Sequence, residues 1–167
     1  MPIKRPKHLL IVGGGVFQVP AIKTAKSMGL KVVVTDYNPE AEGMLLADYP
    51  IEVSTRNINL TVNTAKQFHK TCPLDGVLTV GTDASQTVAA VADALNLPGI
   101  PFEVAERATD KIKMRQVLQE KGVPVPDFRP IWTLEDCRQA ILDMPLPLVI
   151  KPCDNMGARG VRKIESI

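Results

Sequence analysis

Short apolar runs alternate with amphipathic stretches through the first hundred residues. The apolar runs predict four strands, over residues 8–12, 31–36, 49–53 and 75–80. Between them, apolar positions three and four apart predict helices over about 17–28, 44–47, 59–70 (capped by Asn59) and around 88–95. Strands that alternate with helices in this way pair in parallel, so we predict an α/β fold built on a parallel sheet.

The pattern changes after Pro101. Thr109 is the predicted N-cap of an amphipathic helix over residues 110–120. At about 100° per residue, Lys111 and Arg115 fall at the border of its apolar face. Cations in such a position either line a cleft, with their stems packed, or extend into solvent.

The last forty residues predict three further elements. They are a strand over 128–132, a helix from Thr133 to about residue 144, and a hairpin over 148–164. Asp136 stands three residues after Thr133, which forms a weak capping box at the start of the helix. The strand over 128–132 contains Pro130, which limits its pairing.

Composition and charge narrow the classes of function. The 167 residues carry 20 Lys and Arg against 18 Asp and Glu, and the cations are scattered, which argues against nucleic-acid binding. No apolar run approaches the roughly 20 residues of a membrane-spanning helix, so no membrane association is predicted. The three cysteines are far apart and lack zinc spacing, which favours a reducing cytoplasm.

A glycine-rich turn follows the first predicted strand. The dinucleotide fingerprint is G-x-G-x-x-G with an acid about 20 residues later. Gly13 and Gly15 supply two glycines and Asp36 the acid, but Gln18 stands in place of the third glycine. An NAD(P)-binding oxidoreductase is therefore a weaker alternative, beside a plain strand-to-helix turn and a turn that binds another small anion.

The carboxyl ends of the predicted strands should meet at one edge of the sheet, where ligands bind in open α/β folds. That edge holds the glycine turn, Asp36 and the corner at residues 81–85. The candidate binding residues of this half are Gly14, Gly15, Asp36 and Asp83. Asp83 either holds a substrate amine or caps the helix that follows.

An apolar run that ends in Lys151 opens the C-terminal hairpin, and a loop with Gly157, Arg159 and Gly160 follows. The glycines allow backbone N–H groups to approach phosphate oxygens, and the two cations add positive charge. These residues predict a hairpin whose tip lies over a polyanion. The alternative is an ordinary hairpin with solvated charges.

Three segments, in this order and spacing, resemble the ATP-grasp superfamily of ligases along the whole chain. They are Val12-Gly13-Gly14-Gly15 with Asp36-Tyr37-Asn38-Pro39, Thr109-Asp110-Lys111-Ile112-Lys113-Met114-Arg115 with Gly122-Val123-Pro124-Val125-Pro126, and Val149-Ile150-Lys151-Pro152 with Gly157-Ala158-Arg159-Gly160-Val161. The resemblance implies a Rossmann-like pre-ATP-grasp domain over residues 1–105, which usually helps to bind the substrate. Residues 106–167 then resemble the incomplete start of an α+β ATP-grasp domain.

The resemblance also implies ligands. Lys111 and Lys151 would contact ATP phosphates, under a loop formed by Asn155, Gly157, Ala158, Arg159 and Gly160. Gly14, Gly15, Asp36 and Asp83 would bind a small carboxylate substrate, which is activated as an acyl phosphate for attack by an amine or thiol. Mg²⁺ bridges the phosphates in the family, and its ligands are expected outside this chain, in which no catalytic residue is assigned.

The family's adenine-contacting and metal-binding segments lie beyond the glycine loop. We therefore expect a truncated ligase whose 167 residues do not turn over ATP alone. The alternative is a non-catalytic module that binds a nucleotide or another small molecule. The Asp36–Pro39 turn, Gly43 and Ala47-Asp48 are most similar to uncharacterised or amino-acid-ligase members, and a homodimer is one assembly the chain could form.

Overall fold

The structure of the protein is a computed structural model that describes residues 5–166. It divides between Ala105 and Glu106 into two units. Each unit has its own sheet, one with four strands and one with two. No helix in the described range 5–166 combines the length and the apolar character needed to cross a membrane.

The N-terminal unit is built on a parallel sheet, which confirms the predicted α/β class. Its strands lie in the order β3-β2-β1-β4, and each neighbouring pair is parallel. Their bounds are β1 (His8–Val12), β2 (Lys31–Asp36), β3 (Tyr49–Glu52) and β4 (Leu74–Leu78). All four predicted strands are therefore confirmed, although β4 ends two residues earlier than the apolar run suggested.

Helices connect and flank these strands. They are α1 (Val19–Ser27), α2 (Glu42–Leu46), α3 (Ile58–Thr71) and α4 (Ser85–Leu95). The next helix, α5 (Phe102–Thr109), includes the residues at which the two units divide. A 3-10 turn (Val16–Gln18) precedes α1, which starts later than predicted because Pro20 is accepted only in a first helical turn. The cap of α3 is Asn57, not Asn59: the Asn57 side chain accepts the Leu60 N–H at 3.1 Å. Helix α5 was not predicted.

The core of this unit lies on both faces of the sheet. One face packs β1 and β2 against α1 and α2 through Ile11, Val32, Val34, Ile22, Ala25 and Met44. The other packs the sheet against α3 and α4 through Leu10, Val12, Val33, Leu74, Ala65, Ala84 and Val91. Central strands buried on both faces are typical of parallel sheets, and they leave the strand ends as the accessible edge.

The C-terminal unit contains α6 (Lys111–Glu120), α7 (Leu134–Asp143), β5 (Leu148–Ile150) and β6 (Arg162–Ile164). The predicted hairpin is confirmed, since β5 and β6 pair antiparallel with Leu148 opposite Ile164. The capping box of α7 is confirmed too, with Asp136 N donating to Thr133 Oγ1 at 3.1 Å and Thr133 N donating to Asp136 Oδ2 at 2.8 Å.

Two predictions for this unit are wrong. Thr109 does not cap α6, because it is the last residue of α5 and Asp110 is the cap. Residues 128–132 do not form a strand. Pro126 and Pro130 lack the N–H that a strand needs for pairing, which accounts for the absence of a strand here.

Candidate functional site

A cleft of about 960 Å³ lies within the C-terminal unit, between α6, α7 and the hairpin. Its apolar wall includes Phe128, Ile131, Ile141, Met144 and Ile150. Its lining also includes three cationic side chains that interact with one another, Lys111, Arg115 and Lys151. We call these three residues the cation cluster. Lys111 and Lys151, forty positions apart in the sequence, therefore line the same cleft. Arg129, Asp127 and Asp154 also line the cleft.

Lys111 is tied to the loop that follows β5. Its Nζ donates to Asn155 O at 2.7 Å and to Cys153 O at 3.2 Å, and its backbone N donates to Cys153 O at 2.9 Å. Asp110 orients the start of α6, since its Oδ1 accepts the N–H groups of Ile112 at 2.8 Å and Lys113 at 3.0 Å. The first residue of α6 thus holds the base of the glycine loop in place.

Lys151 carries an uncompensated positive charge. Within residues 5–166 its side chain makes neither a hydrogen bond nor an ion pair. Partial burial, and then the nearby charges of Arg115 and Lys111, hold the pKa of Lys151 below its usual value. Like charges that depress one another in this way are relieved by an anion, so the electrostatics of the cleft favour a polyanionic ligand.

The glycine loop reaches conformations that few residues adopt. Gly157, Ala158 and Gly160 have φ values of 66°, 57° and 77°. A Cβ at Gly160 would lie 2.8 Å from Pro152 Cγ, so only glycine fits there. Arg159 Nε donates to Met156 O at 3.1 Å within the loop. Successive residues with left-handed backbone can turn N–H groups towards one point, which suits a loop that covers an anion.

In the N-terminal unit the structure brings Gly14 and Asp36 together. Gly14 N donates to Asp36 Oδ2 at 2.7 Å, and Asn38 N donates to Oδ1 at 2.9 Å. A Cβ at Gly14 would lie 2.9 Å from Met44 Cγ, so the turn requires glycine. Gly15 is exposed and has open space around it. One Asp36 oxygen therefore anchors the glycine turn and the other braces the turn that follows β2, and Gly15 is the accessible residue of the glycine turn.

Gln18, which stands in place of the third fingerprint glycine, makes two hydrogen bonds to the backbone of Val80. It is buried, its Nε2 donates to Val80 O, and its Oε1 accepts the Val80 N–H at 3.0 Å. Gln18 thus joins the start of α1 to the segment after β4. With Gln18 filling this space and Asp36 bound to backbone N–H groups, the support for a dinucleotide site weakens further.

Asp83 does not cap α4, whose N-cap is Ala84. It accepts a hydrogen bond from Arg56 Nη2 at 3.1 Å, as part of an ion pair between β4–α4 and β3–α3 connections. Arg56 also lines a shallow depression of about 590 Å³ at the start of α3. Ala84 thus occupies the N-cap position of α4, and the Asp83 carboxylate pairs with Arg56 across the strand ends.

Sequence reasoning named Lys111 and Lys151 as candidate phosphate ligands but placed Arg115 only at the border of the apolar face of its helix, and it missed the contact that positions Arg115. The guanidinium of Arg115 lies over the Phe128 ring, with Cζ 5.2 Å from the ring centroid. Phe128 was assigned to a strand, and no local pattern indicates a contact between residues thirteen positions apart. Residues 5–166 include no group of three or more His, Cys, Asp or Glu side chains that could hold a metal ion.

The lowered pKa of Lys151 predicts a pH-dependent stability. A lysine whose folded pKa lies below its unfolded value costs stability while it is protonated, and that cost disappears as the pH rises through the folded pKa towards 10.5. We expect Lys151→Met to have a slightly higher melting temperature than the wild type at pH 7, with a difference that shrinks towards pH 10.5. Thermal unfolding across this range measures it.

Lys113→Met is the matched control for this prediction. The Lys113 ammonium lies 2.9 Å from Glu106 Oε1, and that hydrogen bond holds its pKa above the usual value. The stabilisation that this ion pair gives to the folded state is therefore present at pH 7, and it is lost only as the pH rises through the raised pKa of Lys113. Lys113→Met should not gain stability at pH 7. A Lys151→Met protein less stable than the wild type at pH 7 would contradict the assigned repulsion.

Comparison with known proteins adds three likenesses. Residues 22–99 match the family model of the ATP-grasp N-terminal domain. The chain is 33% identical over 110 residues to the uncharacterized protein y4rH of Sinorhizobium fredii, covering 66% of this chain and 23% of that protein. It is 27% identical over 172 residues to the carbamoyl phosphate synthase large chain of Methanoregula boonei, covering 92% of this chain and 16% of that one.

A solved structure of a ligase is similar to this chain as well. The L-amino acid ligase from Bacillus licheniformis superimposes with a TM-score of 0.74 at 28% identity, over 98% of this chain and 40% of that one. The likeness extends through both units of the chain. The chain spans less than a quarter of the length of the two curated relatives.

Proposed function

This chain belongs to the ATP-grasp superfamily, and we propose that its C-terminal unit binds the phosphates of ATP. The observation that carries the proposal is the cation cluster, in which Lys111, Arg115 and Lys151 line one cleft and an unpaired Lys151 is repelled by its neighbours. A triphosphate supplies the negative charge that this cluster lacks. The residues present therefore fit a polyphosphate.

Lys151, at the end of β5, would bind phosphate oxygens. Lys111 donates two ammonium N–H bonds to loop carbonyls, and its third N–H would bind a phosphate oxygen. The loop from Asn155 through Gly157, Ala158, Arg159 to Gly160 would cover the phosphates with backbone N–H groups. ATP supplies the phosphoryl group of the reaction when bound, with Mg²⁺ to neutralise charge. The chain's own contribution is to position and neutralise the phosphates.

We assign the N-terminal unit the role of the pre-ATP-grasp domain, which helps to bind the second substrate. Its accessible edge carries Gly15 beside the Gly14–Asp36 contact, and Asp83 lies at the next strand-to-helix corner. The proposed reaction activates a small carboxylate as an acyl phosphate for attack by an amine or thiol. The similarity to an L-amino acid ligase favours an amino acid as that carboxylate.

Isothermal titration of the 167-residue chain with ATP, with and without Mg²⁺, tests the proposal. Lys151→Met should weaken ATP binding about 10–100-fold, because a hydrogen bond to a charged group is worth about 1.5–3 kcal/mol. Lys163→Met is the control, because Lys163 lies on the other strand of the hairpin and its charge is paired: its Nζ is 2.5 Å from Glu165 Oε1. Equal affinities of the two variants would refute the assignment of Lys151.

The same samples separate catalysis from binding. We expect ATP to bind without release of inorganic phosphate by this chain alone, which a phosphate assay measures. Turnover of ATP would show that the 167 residues suffice for the reaction. Binding of NADH in preference to ATP, seen by fluorescence, would instead favour the oxidoreductase alternative.

A further inference from the structure

Arg115 occupies a position in the cleft that neither the motifs nor the comparisons assign. It lies on α6 one turn after Lys111 and lines the same cleft. Its side chain is half-buried. Within residues 5–166 its guanidinium makes no hydrogen bond or ion pair, and its one specific contact is the face of the Phe128 ring, 5.2 Å from Cζ.

The ring contact restricts the guanidinium without using its N–H groups. A guanidinium over an aromatic face is held by the ring's negative charge distribution and keeps its in-plane donors free. A fixed cation with free donors in a cleft has the chemistry of an oxyanion ligand rather than that of a solvated surface residue.

The charges around Arg115 also favour an anionic ligand. Lys111 already donates two of its three N–H bonds to the carbonyls of Cys153 and Asn155. Arg115 is the stronger of the two cations that depress the pKa of Lys151. Arg115 and Lys151 are therefore the two members of the cluster whose charge is least compensated within residues 5–166, and both line the same cleft.

We propose that Arg115, positioned by the face of Phe128, is a third phosphate-binding residue of the cleft. The inference rests on the proposed function and adds the guanidinium as a ligand that acts together with Lys151. Lys111 then divides its ammonium group between the glycine loop and the phosphates. A planar fork offers two parallel donors to one phosphate, which an ammonium group cannot reproduce.

The test uses the full 167-residue chain with ATP and, separately, inorganic tripolyphosphate as probes in isothermal titration. Arg115→Met should weaken the binding of both probes about 10–100-fold, as the loss of a charge-assisted phosphate contact does. Arg115→Lys should recover only part of that loss. Phe128→Leu should weaken binding about 3–10-fold, less than Arg115→Met, because it releases the guanidinium without removing it.

Arg138→Met is the matched control. Arg138 is an exposed arginine on α7 that pairs with Glu135 at 3.4 Å and is not among the cleft residues. Its removal should leave both affinities unchanged. A second readout needs no ligand: in nuclear magnetic resonance titration, Arg115→Met should move the pKa of Lys151 back towards 10.5, whereas Arg138→Met should not.

The outcomes separate this inference from the proposed function. If the wild type binds neither ATP nor tripolyphosphate, the proposed function fails and the inference fails with it. If Lys151→Met weakens binding while Arg115→Met does not, the inference alone is overturned. If Arg115→Met does not fold, the affinity of Arg115→Lys for the two probes is the test. An affinity equal to that of the wild type in this variant overturns the role of the fixed guanidinium.

Discussion

Lys111→Met is expected to weaken ATP binding by about 100-fold or more and to release the glycine loop at the same time. One side chain provides both effects, because its ammonium group donates to Asn155 O and Cys153 O and lies in the cation cluster. Each hydrogen bond from a charged group contributes about 1.5–3 kcal/mol. Calorimetry measures the affinity, and amide hydrogen exchange over residues 153–160 measures the loop.

Lys113→Met again serves as the control, since Lys113 is exposed on the same helix and pairs with Glu106. It should alter neither ATP affinity nor exchange in the loop. Faster exchange in Lys111→Met without a ligand would show that the loop depends on the two carbonyl contacts. Unchanged exchange would mean that the glycine loop is held by other contacts, and the positioning role of Lys111 would be withdrawn.

Asp36→Ala is expected to destabilise the N-terminal unit by about 3 kcal/mol. The carboxylate is buried and accepts the Gly14 N–H at 2.7 Å and the Asn38 N–H at 2.9 Å. Its removal leaves a buried donor without a partner, which costs about 1–3 kcal/mol, and also removes a charge-assisted bond. Chemical denaturation gives the free energy of unfolding.

Two variants sharpen this measurement. Glu52→Ala, on the neighbouring strand in register with Asp36, removes an exposed carboxylate and should stay within about 0.5 kcal/mol of the wild type. Asp36→Asn keeps the shape but turns an amide NH₂ towards one of the two N–H donors, so it should fall between the wild type and Asp36→Ala. An Asp36→Ala protein as stable as Glu52→Ala would refute the anchoring role.

The anchoring of Asp36 changes how the substrate edge is interpreted. Sequence pattern allowed Asp36 to contact a ribose hydroxyl or a substrate, because an acid after the second strand is common to several ligand-binding folds. In the structure its Oδ2 accepts the Gly14 N–H of the glycine turn and its Oδ1 accepts the Asn38 N–H, while Gln18 joins the start of α1 to Val80. The edge is thus a turn held by Asp36 and Gln18, with Gly15 accessible.

Elements were predicted well where their signals are local. The four parallel strands, the capping box of Thr133 and Asp136, and the final hairpin are all present. Errors arose where neighbouring signals compete. Thr109 and Asp110 are both good caps, and the choice between them depended on α5, which ends at Thr109 and was not predicted.

The sequence alone determined the alternating strands and helices of the N-terminal unit, its parallel sheet and the final hairpin, because periodicity and turn residues are properties of short segments. The tertiary structure alone decided which groups meet. Lys111 holds the carbonyls of a loop more than forty residues away, Phe128 holds Arg115, and Asp36 holds a turn rather than a ligand. Such contacts depend on packing between distant segments, and no local pattern records which donor a charged group will find.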